Sequence, residues 1–173
     1  MPRNVEIKAR LPDLDRVTGI ASQLADSAPE LTAQEDVFFP CQTGRLKLRI
    51  FSPAHAELIY YQRPNQEGPK TSQYQITPTA DPTGLRAALT AAYGVRAVVN
   101  KVRTLLLVGR TRIHLDRVDS LGDFLELEVV LGNNESIAAG EAEARALMAT
   151  LGIAPDDLIA DAYVDLLERQ EPN

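Results

Sequence analysis

Apolar and charged residues alternate over residues 5–10, where Val5, Ile7 and Ala9 fall on one parity and Glu6, Lys8 and Arg10 on the other. Successive strand side chains point to opposite faces, so this segment reads as a strand with one charged face. The pattern is sharper over residues 45–50, with Arg45, Lys47 and Arg49 opposed to Leu46, Leu48 and Ile50. Further strands are expected over residues 35–40, 57–63, 72–77, 98–107, 111–118 and 124–129. Pro40 ends the first of these and Pro78 closes the one over 72–77. Leu105, Leu106 and Leu107 read as core, and Leu121-Gly122-Asp123 as a reversal between the last two strands.

The period changes to that of a helix elsewhere. After Pro12-Asp13, Leu14, Val17, Ala21 and Leu24 recur at helical spacing. Asp81-Pro82 supplies an N-cap and a first-turn proline, Leu85, Ala88, Leu89 and Ala92 a buried stripe, and Gly94 a stop. Asn133-Asn134 caps a helix running to Met148 or Leu151, stopped by Gly152. Residues 155–168 read as a last helix, with Leu158, Ile159, Ala162, Tyr163 and Leu166 inward. About eight strands joined mostly by short turns, with helices interspersed, predict one α+β domain over residues 1–173. Charged faces on several strands exclude a dry sheet interior. They fit a solvated sheet or a closed barrel with a polar lumen.

Composition changes this picture in two ways. Cys41 is the sole cysteine, read as a small, partly buried thiol near a turn, so no disulfide framework exists. Met1-Pro2-Arg3-Asn4 leads straight into a strand pattern, which predicts neither a signal peptide nor a membrane span and makes a cytoplasmic protein the expectation. The formal net charge of −6 argues against nucleic-acid binding through the whole surface. Basic residues nevertheless crowd the strands while acids crowd the helical stretches at 135–143 and 156–168.

On the strand over 111–118, Arg112, His114 and Asp116 share a face, and Glu126 and Glu128 share one on the next. Lys8, Arg10, Arg45, Lys47, Arg49, Arg63, Lys101, Arg103 and Arg112 form the basic set, and Glu6, Asp116, Glu126 and Glu128 the acidic set. Taken singly, each row suits a solvated face and His114 a hydrogen-bonded structural histidine. Independent solvated faces would mix signs within each strand rather than segregate them. In one lumen the cations would need a polyanion, and guanidinium forks match phosphate oxygens. The carboxylates would then hold Mg²⁺ or Mn²⁺, hard ions that bridge to phosphate.

The ordered segments Asn4-Val5-Glu6-Ile7-Lys8-Ala9-Arg10, Gly44-Arg45-Leu46-Lys47-Leu48-Arg49, Lys101-Val102-Arg103, Arg112-Ile113-His114-Leu115-Asp116, Leu121-Gly122 and Phe124-Leu125-Glu126-Leu127-Glu128 resemble the CYTH superfamily. The likeness continues to Ala162-Tyr163-Val164-Asp165-Leu166-Leu167. These triphosphate tunnel metalloenzymes include class IV adenylyl cyclases, thiamine triphosphatases and inorganic triphosphatases. The resemblance implies an antiparallel β-barrel tunnel with helices packed outside it. It implies divalent metal, Mg²⁺ or Mn²⁺, on Glu6, Glu126 and Glu128 with Asp116 nearby. Triphosphate contacts would fall to Lys8, Arg45, Lys47, Arg49, Arg63, Lys101, Arg103 and Arg112.

The catalytic candidates are Lys8, Arg112 and His114. The expected activity is metal-dependent hydrolysis of tripolyphosphate, ATP or thiamine triphosphate. The alternatives are a class IV adenylyl cyclase and a non-catalytic polyphosphate or nucleotide binder. The cyclase-like members suggest a homodimer, and neither nucleic acid nor membrane is an expected partner. The chain departs from the family's opening Glu-x-Glu-x-Lys by placing Asn4 where the first glutamate stands. Residues 72–76 also lack the arginine and glutamates that many members carry there. Both departures predict a weaker metal site or a guest with fewer charges to balance.

Overall fold

A computed structural model describes residues 2–170; Met1 and residues 171–173, part of the expected 1–173 domain, lie outside the described residues. Eight antiparallel strands close into a barrel in the order β1-β5-β4-β3-β2-β6-β7-β8. They are β1 (Arg3–Arg10), β2 (Glu30–Phe39), β3 (Arg45–Ser52), β4 (His55–Gln62), β5 (Lys70–Thr79), β6 (Ala97–Val108), β7 (Thr111–Val118) and β8 (Gly122–Leu131). Two meanders, β2 to β5 and β6 to β8, are joined through β2 against β6 and sealed by β1 between β5 and β8. The α+β barrel expected from the resemblance is the observed fold.

Helices α1 (Leu14–Leu24), α2 (Pro82–Tyr93), α3 (Ile137–Thr150) and α4 (Tyr163–Gln170) pack around the barrel. The outward apolar parity of β1, β7 and β8 meets α1 and α3 in the main core, where Val5, Ile7, Ile113, Leu125 and Leu127 are fully buried. A second core of Val37, Phe39 and Leu48 lies under Leu85 and Leu89 of α2. Ala88 and Ala92, expected on that stripe, are exposed. No helix among the described residues is long and apolar enough to cross a membrane.

Several element boundaries differ from the sequence pattern, each for a physical reason. β2 begins at Glu30 because Glu30 to Gln34 pair with β6. Its Glu30, Thr32 and Gln34 face a polar cavity while Leu31 and Ala33 face solvent, so alternation carries no core signal. β5 runs through Pro78 because β1 accompanies it only from Lys70 to Gln73, leaving the later strand paired on one side, where a missing N–H is tolerated. Leu106 alone of the leucine triplet is fully buried; Leu105 lines the cavity and Leu107 is exposed. The β7–β8 reversal falls on Asp119 to Leu121, with Ser120 at φ 67°. α3 is capped by Ser136, whose Oγ accepts from Ala139 N, rather than by the two asparagines. Cys41 is exposed.

The expected last helix is broken. Pro155–Asp157 form one 3-10 turn, and α4 starts only at Tyr163. The chain between them is held extended by β1: Leu158 bridges Ala9, and Ile159 N donates to Lys8 O at 3.0 Å. Arg63 donates to Ala160 O, and the buried Lys70 Nζ donates to the carbonyls of Gln66, Ile159 and Ala160. This segment and Tyr163 cross one end of the barrel, where Phe38, Phe124, Ala162 and Tyr163 pack together. The lumen is therefore a blind cavity open at the other end.

Candidate active site in the barrel lumen

Strand parity turns the charged rows of β1, β3, β6, β7 and β8 into a cavity of about 550 Å³. Register decides which charges meet. Glu128 pairs with Glu6 on one side and Arg112 on the other, and Glu126 with Lys8 and His114. Three neighbouring strands thus build two adjacent rungs, Glu6-Glu128-Arg112 and Lys8-Glu126-His114. Across the lumen, Asp36 of β2 is paired with Arg49 of β3 and lies near the β6 row.

Asp36 organises the cationic pole. Its carboxylate accepts from Arg49 Nε and Nη2 at 2.8 Å, Lys47 Nζ at 2.9 Å and Lys101 Nζ at 2.9 Å. Burial pushes the carboxyl up, but Arg49, Lys101 and Lys47 together hold it well below the usual range. Three cations about one carboxylate leave a formal excess of two positive charges. The lysines register that excess: burial and the like charge of Arg49 push Lys47 down to about 8, and burial drives Lys101 well down. The pole is short of anions, and a bound polyanion would supply them.

The acidic pole is built differently. Glu126 Oε2 lies 3.2 Å from Lys8 Nζ, and Glu128 Oε2 accepts from Arg112 at 2.8 Å. Burial raises Glu126, yet Lys8, His114 and Arg103 hold it well below the usual range. Glu6, 3.9 Å from Arg63, is pushed up to about 7 by burial and then by Glu126, against Arg63. Burial, and next Arg103, lower His114. One ligand atom each of His114, Glu126 and Glu128 lie within 4.8 Å of one another. Asn4 Oδ1, Gln34 Oε1 and His114 Nδ1 are buried without hydrogen-bond partners among the described residues. Unpaired buried polar atoms of this kind are costly unless a ligand completes them.

Residues 2–163 match the family model of the CYTH domain. The chain belongs to the CYTH family. Structures similar to this CYTH protein include the PH1012 protein of Pyrococcus horikoshii OT3, at 22% identity and TM-score 0.83 over 94% of this chain and 98% of that one. A Vibrio parahaemolyticus protein provisionally assigned as an adenylate cyclase matches at 19% identity and TM-score 0.74, over 95% and 97% of the two chains. HpAC1 of Hippeastrum, described as having a dominant triphosphatase activity, matches at 13% identity and TM-score 0.68, over 100% and 98%. These identities establish a shared fold. No curated protein sequence matches the chain.

The CYTH barrel gathers Glu6, Lys8, Lys47, Arg49, Arg63, Lys101, Arg103, Arg112, His114, Glu126 and Glu128 around one lumen. It does not bring Arg45, Asp116 or Arg10 to the same cavity. Arg45 donates to Asn65 and to Asp165 of α4. Asp116, expected as a metal-binding acid, has both oxygens engaged: Arg103 donates twice at 2.7 Å and Tyr163 Oη once at 2.8 Å. Arg10 is exposed and lies over Phe124. Asp36, Gln34 and Tyr163 are among the lumen residues that sequence reasoning missed or read as core. Asp36 carried a signal, since it is the one acid of residues 35–40 on the parity opposed to Val37 and Phe39, while the rows at 45–49 and 101–103 are cationic.

Proposed function

We propose that this CYTH protein is a divalent-metal-dependent triphosphate hydrolase whose guest lies between the two poles of the lumen. The observation that carries this reading is the facing of an anion-deficient cluster, Lys47, Arg49 and Lys101 about Asp36, by a cluster of acids and an imidazole with unpartnered atoms. Glu126, Glu128 and His114, with Glu6 and Asn4 adjacent, fit a divalent ion by donor type and spacing. When bound, such an ion supplies Lewis acidity toward phosphate oxygens and toward water.

The chain's own groups do the rest. Lys47, Arg49 and Lys101 bind non-bridging oxygens and stabilise the charge that develops as phosphorus is transferred. Lys8 and Arg112 hold one oxygen each of Glu126 and Glu128, fixing the other oxygen of each toward the cavity. Tyr163 and the 158–162 segment exclude bulk water from the blind end. Water adds to the terminal phosphorus as the bridging P–O bond breaks, giving orthophosphate and a diphosphate. We extend the proposal to a cytoplasmic protein acting as one domain, on the single cysteine and the acidic composition.

A second reading, class IV adenylyl cyclase, is favoured by the open mouth, where Phe51 and His55 stack at 4.9 Å beside Leu105 and Ile76, a surface suited to a planar base. One incubation with Mg²⁺ or Mn²⁺ and tripolyphosphate, ATP or thiamine triphosphate, resolving phosphate, pyrophosphate and cyclic AMP, separates the two. Free phosphate is expected. Cyclic AMP with pyrophosphate and no phosphate would sink the hydrolase reading, and binding without any product would leave a non-catalytic binder. Glu126→Gln, which keeps an oxygen for Lys8, should abolish metal-dependent turnover while unfolding stays cooperative.

A further inference from the structure

The acidic pole contains a nitrogen donor placed as a ligand would be. Glu126 commits Oε2 to Lys8, and Glu128 commits Oε2 to Arg112. The remaining oxygens converge on the same atom: His114 Nδ1 is 3.9 Å from Glu126 Oε1 and 4.0 Å from Glu128 Oε1. These separations exceed a hydrogen bond. His114 is only 6% exposed, and its Nδ1 has no hydrogen-bond partner among the described residues. Two carboxylate oxygens and an imidazole nitrogen therefore converge at separations too long for hydrogen bonds. A cation among the three atoms would complete the buried nitrogen and both carboxylates at once.

Asn4 sharpens the point. It is 3% exposed, its Oδ1 also lacks a partner, and it stands on β1 two residues before Glu6, on the same lumen face. At this position an amide oxygen replaces negative charge with a neutral donor. The set available to an ion is thus one imidazole nitrogen, two carboxylate oxygens and neutral or proton-sharing oxygens nearby.

Mg²⁺ takes oxygen ligands in a strict octahedron and keeps several waters, so an imidazole adds little to its binding. Mn²⁺, Co²⁺ and Zn²⁺ accept imidazole readily, and nitrogen ligation raises affinity along the first-row series. We propose that His114 is a direct metal ligand with Glu126 and Glu128, and that this site selects a nitrogen-accepting first-row divalent ion over Mg²⁺. The proposal rests on the metal-dependent reading of the lumen and names the class of ion that the lumen holds.

The test uses the full chain, freed of metal by chelation, without any triphosphate. Mn²⁺ is added, and electron spin-echo modulation is recorded on protein carrying ¹⁵N only in histidine. A directly coordinated histidine nitrogen is expected, and it should vanish in His114→Asn while persisting in His55→Asn. Titration with Co²⁺, followed by its d–d absorption and by competition, should give at least about tenfold tighter binding than Mg²⁺. His114→Asn should lose most of that preference and leave Mg²⁺ affinity within about threefold, since oxygen donors alone suit Mg²⁺.

Absence of the nitrogen coupling in the wild-type Mn²⁺ complex would overturn the proposal, and needs no variant to fold. So would a Co²⁺ preference unchanged in His114→Asn. Triphosphate hydrolysis with Mg²⁺ at full rate and no nitrogen coupling would remove the inference and leave the hydrolase standing. Nitrogen coupling without product from any triphosphate would do the reverse.

Discussion

Asp36 is the residue on which the cationic pole depends. Replacing it with asparagine leaves Lys47, Arg49 and Lys101 buried around a neutral amide, and breaking a buried pair from one side costs about 3 kcal/mol or more. Asp36→Asn should therefore unfold at least about 6 °C lower by calorimetry, and tripolyphosphate should restore more stability to it than to the wild type. An unchanged midpoint would mean that solvent, not Asp36, satisfies those cations. Lys47 gives the same pole a pH dependence. Its folded value of about 8 lies below the ordinary 10.5, so between the two the unfolded chain binds more protons and its contribution to stability rises with pH. Phosphate binding needs the charged form, so tripolyphosphate affinity should fall as pH rises through about 8. Lys47→Arg, which stays charged, should flatten that fall in calorimetric titrations at pH 7 and 9.5. The rows of Lys47, Arg49, Lys101, Arg103, Glu126 and Glu128 were legible from parity alone. Parity also placed Asp116 with Arg112 and His114 and set Asp36 opposite Val37 and Phe39, but parity says nothing about which cation each acid will meet.

At the scale of elements, alternation located every strand but misjudged those whose outward face is bare. The first half of β2 turns Leu31, 70% exposed, and Ala33 outward to solvent, and Glu35 interrupts their parity before Val37, so pairing with β6 rather than a buried stripe makes it a strand. The break before α4 was equally hidden. Leu158, Ile159 and Ala162 have helical spacing, but the free backbone edge at Lys8 and Ala9 captures residues 158 and 159 in extended form. α3 shows the opposite case, an element whose position one small residue sets. A Cβ built on Gly140 would stand 2.8 Å from Leu131 Cδ2 and 2.9 Å from Val5 Cγ2, both in the main core. Alanine gains about 1 kcal/mol of helix propensity over glycine. Overpacking a tight core costs about 1–3 kcal/mol. Gly140→Ala should thus be neutral to destabilising, by up to about 2 kcal/mol in urea unfolding. A gain in stability would show that α3 can lift from β1 and β8 at no cost.

The barrel as a whole joins two incomplete poles across one blind cavity, and closure is what makes them face. β1 seals the ring, and the 158–162 segment with Tyr163 stops one end, so a guest entering from the mouth meets both clusters at once. A triphosphate satisfying Lys47, Arg49 and Lys101 brings its own negative charge toward Glu126 and Glu128, which a cation between them offsets. Metal and tripolyphosphate should therefore bind with positive coupling, and the coupling must be the same whichever is added first. A ligand at 100 times its dissociation constant stabilises the fold by about 2.7 kcal/mol, which for a chain of this size raises the midpoint by about 5–11 °C. In thermal unfolding, a divalent ion with tripolyphosphate should raise the midpoint by clearly more than the sum of the two separate shifts, after correction for ion–tripolyphosphate complexes in solution. Glu128→Gln should bring the combined shift down toward that sum, because it weakens the acidic pole while leaving the Asp36 cluster intact. Additive shifts in the wild type would mean that the two clusters act as separate sites rather than as opposite ends of one.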